Sequence, residues 1–297
     1  MAATAFYKIG NLTFGLHGSA SLQMLLDYEG LHPFALETIA EPALSIELDV
    51  QLPRFDDGSL LSQTVFKETE SLCLFSVKGD TYQFEMWNSD KSRRLVTLHY
   101  QRGGQKAYLS SCNDFSALRF ALWFACSMLM ARLRTTFVHS SVIVYRGAAV
   151  LFLGESGTGK STHTRLWLKN IQGSRLLNDD SPALAIGSDT SNPTASQTII
   201  YGSPWSGKAP CYINRCFPLA AVVRLSQAPH NAIRQLSVPE GFSALQPSLP
   251  PALMQDEWFA DTLIGILSDV LKSAPFFHLE CLPDADAAHL SCKTIFG

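Results

Sequence analysis

The 297-residue sequence contains no Cys-x-x-Cys pair; its seven cysteines (Cys73, Cys112, Cys126, Cys211, Cys216, Cys281 and Cys292) are scattered and odd in number. That pattern argues against a disulfide frame or a cysteine-based zinc site, and for single thiols in a reducing compartment. Charge is also scarce, at 16% of residues against an average of about 25%. Lys and Arg number 23 and Asp and Glu 26, a formal net of -3. A near-neutral chain has no electrostatic footprint for nucleic acid or anionic lipid, so neither is expected as a partner. The strongly apolar stretch from Ala117 to Met130 contains Arg119 and stops at Arg132 and Arg134, too short to span a bilayer. A buried helix is expected there. The opening residues, Met1 to Lys8, lack the basic flank and apolar core of a secretory signal. The expected location is cytoplasmic.

What is present is apolar mass. With 46% hydrophobic residues the chain can bury a sizeable core. Residues 1–111 alternate as strands do: Leu44 to Val50, Leu72 to Val77, Tyr82 to Trp87 and Leu95 to Tyr100. Turn chemistry at Lys78-Gly79-Asp80, Asn88-Ser89-Asp90 and Arg102-Gly103-Gly104 separates them. An antiparallel β-rich amino-terminal region is expected, with a second domain over residues 112–297. Asn113-Asp114 can cap the long apolar helix, and two strands, Val138 to Tyr145 and Ala148 to Leu153, follow around Arg146-Gly147. Residues 188–198 are polar and read as a mobile loop; residues 239–251 carry four prolines and read as a connection. Beyond them Met254, Trp258, Phe259, Leu263, Ile266, Leu267 and Val270 form a helical stripe suited to core packing.

Chemistry concentrates in Gly154-Glu-Ser-Gly157-Thr-Gly159-Lys160-Ser161, which satisfies G-x-x-x-x-G-K-[ST]. A polyphosphate must be wrapped by main-chain N–H groups that a Cβ would hold away, and glycines permit that approach. The loop opens into a helix whose first N–H groups lack internal partners and whose dipole is positive at that end. Lys160 adds a point charge at the β- and γ-phosphates, and Ser161 a hydroxyl for Mg²⁺. The apolar run Ala149 to Leu153 supplies the strand before the loop. A second element, Asp179-Asp180, follows a short apolar strand and suits Mg²⁺ ligation plus proton abstraction. An Asx turn before Pro182 is the plainer reading of the same dipeptide. His139 is a third element, heading a strand.

Together these residues resemble the catalytic domain of the HPr kinase/phosphorylase family, which is distantly similar to ATP-dependent phosphoenolpyruvate carboxykinases. The likeness covers roughly residues 135–230 and is most specific over 139–180. It implies an α/β fold with a P-loop-containing HPr kinase-like core, a mixed sheet with flanking helices. It also implies ATP and Mg²⁺ as cofactors, assembly into homo-oligomers, and phosphorylation of a serine on a peptide, protein or small molecule, including precursor peptides of biosynthetic clusters. On this likeness Gly154, Ser156, Gly157, Thr158, Gly159, Lys160, Ser161 and Thr162 hold the nucleotide. Ser161 and Asp180 meet the metal and Asp179 is the base, or the two aspartates exchange roles. His139 tunes the site or relays a proton. The family's Glu-x-Arg-Gly-Leu-Gly-like segment is missing; the corresponding region reads Tyr201-Gly-Ser-Pro-Trp-Ser-Gly207-Lys208. That departure bears on HPr as substrate, on the reverse reaction and on a second metal. The segment is read either as a surface turn or as a loop that closes with Trp205, Ser206 and Lys208 presented to the transferred phosphate. The alternative class is a catalytically weak nucleotide-binding regulatory or interaction module. A plain ATPase or GTPase fits less well, because the strand–turn–strand entry is unusual for one and a guanine-reading Asn-Lys-x-Asp is absent.

Overall fold

The computed structural model describes residues 3–37, 42, 44–53, 55, 57–66, 70–188, 196–207 and 210–297. The chain is mixed α/β, with two nine-stranded sheets and six α-helices among the described residues. It divides into two compact units, Met1–Leu133 with Ala252–Ala260, and Arg134–Pro251 with Asp261–Gly297. No helix among the described residues is long and apolar enough to cross a membrane.

The first unit is built on β1 (Ala3–Ile9), β2 (Leu12–Gly18), β3 (Ala35–Leu36), β4 (Leu44–Glu47), β5 (Ser59–Val65), β6 (Leu72–Lys78), β7 (Thr81–Trp87), β8 (Arg94–Gln101) and β9 (Lys106–Leu109). Their order is β3-β1-β2-β4-β9-β8-β7-β6-β5. From β5 to β9 the sheet is the antiparallel meander that the alternation predicts. The expectation of a wholly antiparallel region is corrected at β4, which runs parallel to both β2 and β9. A parallel pair needs a long crossover, and the chain between β2 and β4 is long enough and carries helix α1 (Ala20–Leu26). Side-chain alternation reports the period of a strand, not its direction.

Helix α2 (Phe115–Ala131) starts at Asp114, whose carboxylate accepts the Ala117 N–H at 2.9 Å. Phe124 on this helix packs on Phe75 and Phe84 of the sheet, so the helix belongs to the first unit. The division therefore falls after Leu133, not at residue 111, because the helix buries its apolar surface on the strands that precede it. Asp114→Ala removes the cap and should lower the stability of this unit by about 1 kcal/mol. Urea denaturation of the two proteins side by side checks it, through a lower midpoint at unchanged slope.

The second unit holds β10 (Thr135–Phe137), β11 (Ser141–Tyr145), β12 (Ala148–Leu153), β13 (Arg175–Asn178), β14 (Ala183–Ser188), β15 (Ser196–Tyr201), β16 (Cys216–Gln227), β17 (Ala232–Gln235) and β18 (Phe276–Cys281). β12 pairs in parallel with β16, and β16 with β18; the other ladders are antiparallel. Helix α3 (Lys160–Asn170) lays Trp167 against Phe152 and Ile143, a contact set completed by Val223 and Leu279. Burying one such side chain contributes about 1.5–3 kcal/mol, which fixes the helix and the loop before it to the ends of the strands.

Two sequence expectations change here. Residues 196–198 are strand, paired antiparallel with residues 186–188, instead of mobile loop; residues 189–195 lie outside the described residues. Part of the proline-rich connection is helix α4 (Val238–Leu245), opened by a reciprocal capping box between Ser237 and Glu240 with Pro239 in the first turn, where a missing N–H costs nothing. The stripe from Phe259 to Val270 is on helix α5 (Glu257–Ser273), and Phe259, Leu263, Ile266, Leu267 and Val270 are buried. Helix α6 (Ala285–Phe296) ends the chain.

Candidate functional site

The glycine-rich loop joins the carboxyl end of β12 to the first turn of α3. Gly159 is the residue before the helix and has φ +103°, a conformation that a Cβ would oppose. It turns the chain so that α3 begins at Lys160 with its amino-terminal N–H groups at the loop. Thr158 steadies the turn, its hydroxyl donating to the Glu155 carbonyl at 2.8 Å. Ser156 is exposed on the loop, and Thr162 lies in the first turn of α3.

Lys160 folds back over this loop. Its ammonium donates to the Gly154 carbonyl at 2.7 Å, to the Glu155 carbonyl at 3.3 Å and to His139 Nε2 at 3.1 Å. An ammonium has no lone pair, so Nε2 is the accepting nitrogen and the ring proton sits on Nδ1. Nδ1 faces Asp180 Oδ1 at 3.3 Å. The sequence-predicted lysine, histidine and second aspartate are therefore one chain of contacts, Lys160–His139–Asp180. Burial holds the Lys160 ammonium below its ordinary pKa, and the charges of Asp180 and Asp179 act in the opposite direction. His139 is not the first residue of a strand: it lies in the link between β10 and β11, held by its N–H to the Ser248 carbonyl at 2.8 Å.

Asp179 belongs to the other side of the loop. Its Oδ1 accepts from Ser161 Oγ at 3.1 Å and from the buried Ser141 Oγ at 2.9 Å. The two carboxylates thus face different partners, the helix-start hydroxyl for Asp179 and the histidine for Asp180. No cluster of three or more His, Cys, Asp or Glu arranged for a metal ion occurs among the described residues. A Mg²⁺ ion carried by a polyphosphate needs only one or two protein oxygens, the rest coming from phosphate and water. The Ser161 hydroxyl beside the Asp179 carboxylate is a donor set of that kind.

Asn178, fully buried, organises both aspartates, and the sequence reading passed over it. Its side-chain oxygen accepts from the Asp180 N–H at 2.9 Å and from the Ser181 N–H at 2.8 Å. This is an Asx turn, so the plainer reading of the dipeptide and the functional one describe the same residues. The Asn178 amide donates to the carbonyls of Ser203 (3.4 Å) and Trp205 (3.1 Å). Those bonds bring the segment after β15 against the acids. Trp205 and Ser206 are buried, with Trp205 edge-on to Phe137 at 5.1 Å, so neither is presented on a surface turn. A Cβ at Gly202 would lie 1.9 Å from the Ile213 carbonyl oxygen, which leaves glycine as the residue for that approach. An added Cβ at Gly207 would sit 3.2 Å from the Asp179 carbonyl oxygen, so the segment ends beside the acids. Lys208 lies outside the described residues. Ser141 and Asn178 carried one sequence signal each: a hydroxyl opening the strand after His139, and an Asx-turn former directly before the acid pair.

No known family and no curated protein matches the chain by sequence. Among solved structures, the Hpr(Ser) kinase/phosphatase from Coxiella burnetii is similar to 52% of this chain and 90% of its own, with 12% identity and a TM-score of 0.28. A likeness that distant carries no argument about function, which rests instead on the geometry above.

Proposed function

We propose that the second unit is an HPr kinase-like P-loop phosphotransferase that moves the γ-phosphate of ATP, with Mg²⁺, to a serine hydroxyl of a peptide, protein or small molecule. The observation that carries this reading is the convergence of Lys160, His139, Asp180, Asp179 and Ser161 on one glycine loop at a helix start. Nucleotide affinity alone needs the loop and the lysine; it does not need two carboxylates and a histidine held in register by Asn178.

In this reading the loop amides and Lys160 take the β- and γ-phosphates. Lys160 gives up its contacts to Gly154, Glu155 and His139 as it turns to them. Bound Mg²⁺ would neutralise charge on the phosphates, with Ser161 and Asp179 as its protein oxygens. The acceptor oxygen attacks the γ-phosphorus, the bond from that phosphorus to the β–γ bridging oxygen breaks, and ADP leaves. The hydroxyl proton passes to Asp180, whose partner His139 can share it. This division reverses the first assignment of the acids; what supports it is the pairing of Ser161 with Asp179 and of His139 with Asp180. The base need not be strong, because phosphoryl transfer depends mostly on alignment and charge neutralisation.

The reading is tested by calorimetry of the full chain with Mg·ATP, then by incubation with labelled ATP and a cell extract and mass spectrometry for new phosphoserine. Saturable binding together with a labelled serine product is expected. Absence of both heat and saturation overturns the reading. Saturable binding with no transfer to any acceptor would favour the second reading, a nucleotide-binding module, which the missing glutamate motivates.

A further inference from the structure

The glycine loop accounts for the phosphates of a nucleotide and leaves its base unplaced. β12, β16 and β18 run parallel, so their carboxyl ends lie on one edge of the sheet, the edge from which the loop departs. In α/β sheets that edge is where ligands settle. A cleft of 510 Å³ opens there. It runs from Gly159 and Thr162 on the loop side, past Leu166 of α3, to Leu225, Leu282 and Pro283 at and beyond the strand ends. Its size suits a small-molecule site, and its far walls are apolar. Gln227, also on the wall, donates its amide to the Gly157 carbonyl at 3.3 Å and so ties the far part of the cleft to the glycine loop.

One polar group of this cleft has no partner. His163 lines it and is only 2% exposed. Trp167 Nε1 donates to His163 Nε2 at 3.2 Å. An indole N–H can only donate, so Nε2 holds the lone pair and the ring proton is on Nδ1. Nδ1 is the one buried side-chain nitrogen or oxygen without a hydrogen-bond partner among the described residues of the second unit. Trp167 and Ser291 occupy the Nε2 edge, and neither lines the cleft, which leaves the Nδ1 edge to it. A buried donor left unpaired opposes folding until something accepts from it. Solvent does not reach this nitrogen, so its partner has to be a group pressed into the cleft.

We propose that the cleft takes the purine ring of the nucleotide whose phosphates the loop holds, with the His163 Nδ1–H donating to an acceptor nitrogen on the ring edge. The proposal rests on the nucleotide reading above and adds the base to it. A purine fits both features: a flat apolar body for the leucine and proline walls, and ring nitrogens that accept at its edge.

Equilibrium binding to the full chain in Mg²⁺, comparing ATP, GTP, CTP, tripolyphosphate and the 1-, 3- and 7-deaza analogues of ATP, tests it. Tripolyphosphate and CTP should bind about tenfold or more weaker than the better purine. One deaza analogue should lose about fivefold, the worth of one net hydrogen bond, and His163→Phe should erase that difference between analogues. Should the variant fail to fold, the analogue series on the unaltered protein still decides. Tripolyphosphate as tight as ATP, or all three analogues as tight as ATP, overturns the base site while leaving the phosphate loop standing. If tripolyphosphate and every nucleotide fail to bind, the nucleotide reading falls first and the base site with it.

Discussion

Lys160→Ala should remove most of the affinity for Mg·ATP. The ammonium contributes charge-assisted hydrogen bonds to the phosphates, worth about 1.5–3 kcal/mol each, so one or two of them imply a loss of roughly 10- to 1,000-fold in Kd. Two features make the result decisive. Without ligand, the Nζ is engaged by Gly154, Glu155 and His139, so the alanine variant loses contacts inside the loop and could be suspected of misfolding. The sign of the pKa shift argues otherwise. Burial lowers the folded-state pKa of Lys160 below its ordinary value, so below that pKa the proton is held less tightly in the folded chain than in the unfolded one. Its charge therefore works against folding at neutral pH, and the unliganded variant should melt no lower than the parent. Lys160→Arg should not rescue binding, because a planar guanidinium cannot take the place of a compact ammonium among two carbonyls and a ring nitrogen. Titration calorimetry with a parallel thermal melt checks both halves. Unchanged affinity in a folded Lys160→Ala protein would remove the lysine from the phosphate site.

The parts of this site legible in the sequence are those whose chemistry fixes neighbouring residues in the chain. A phosphate loop demands glycines, a lysine and a hydroxyl at set spacings, and the apolar run before it demands a strand. Both are present in the structure as loop and β12. His139 and the acid pair were legible as residues but not as partners. That Ser161 meets Asp179, while Asp180 meets His139, depends on the Asx turn at Asn178, which is a matter of backbone direction and not of pattern. The orphaned Nδ1 of His163 is less legible still, since Trp167 decides which ring nitrogen is left over. In the fold, the meander from β5 to β9 followed from alternation and turns, whereas the parallel insertion of β4 did not. Helix α4 was hidden by its prolines, although Ser237, Pro239 and Glu240 are a helix-start signature when read together.

The two aspartates should fail in different ways when replaced by asparagine. If Asp180 receives the acceptor's proton, Asp180→Asn should keep Mg·ATP affinity within a few-fold and lower turnover by about 10²- to 10⁴-fold, the usual worth of a positioned base. If Asp179 works with Ser161 at the metal, Asp179→Asn should instead raise the Mg²⁺ concentration needed for half-maximal rate and weaken Mg·ATP binding. Ser161→Ala should shift the same readout in the same direction. Both asparagine side chains keep the shape of the acid, and the Asn178 hydrogen bonds that place residues 180 and 181 go to the backbone, so the turn itself survives either change. A loss confined to turnover in Asp179→Asn, with the Mg²⁺ shift appearing in Asp180→Asn, would exchange the roles. Wild-type product formation in both would leave the acids as structural residues and the loop as a binding device, because each would then be shown to do no more than hold Ser141, Ser161 and His139 in place.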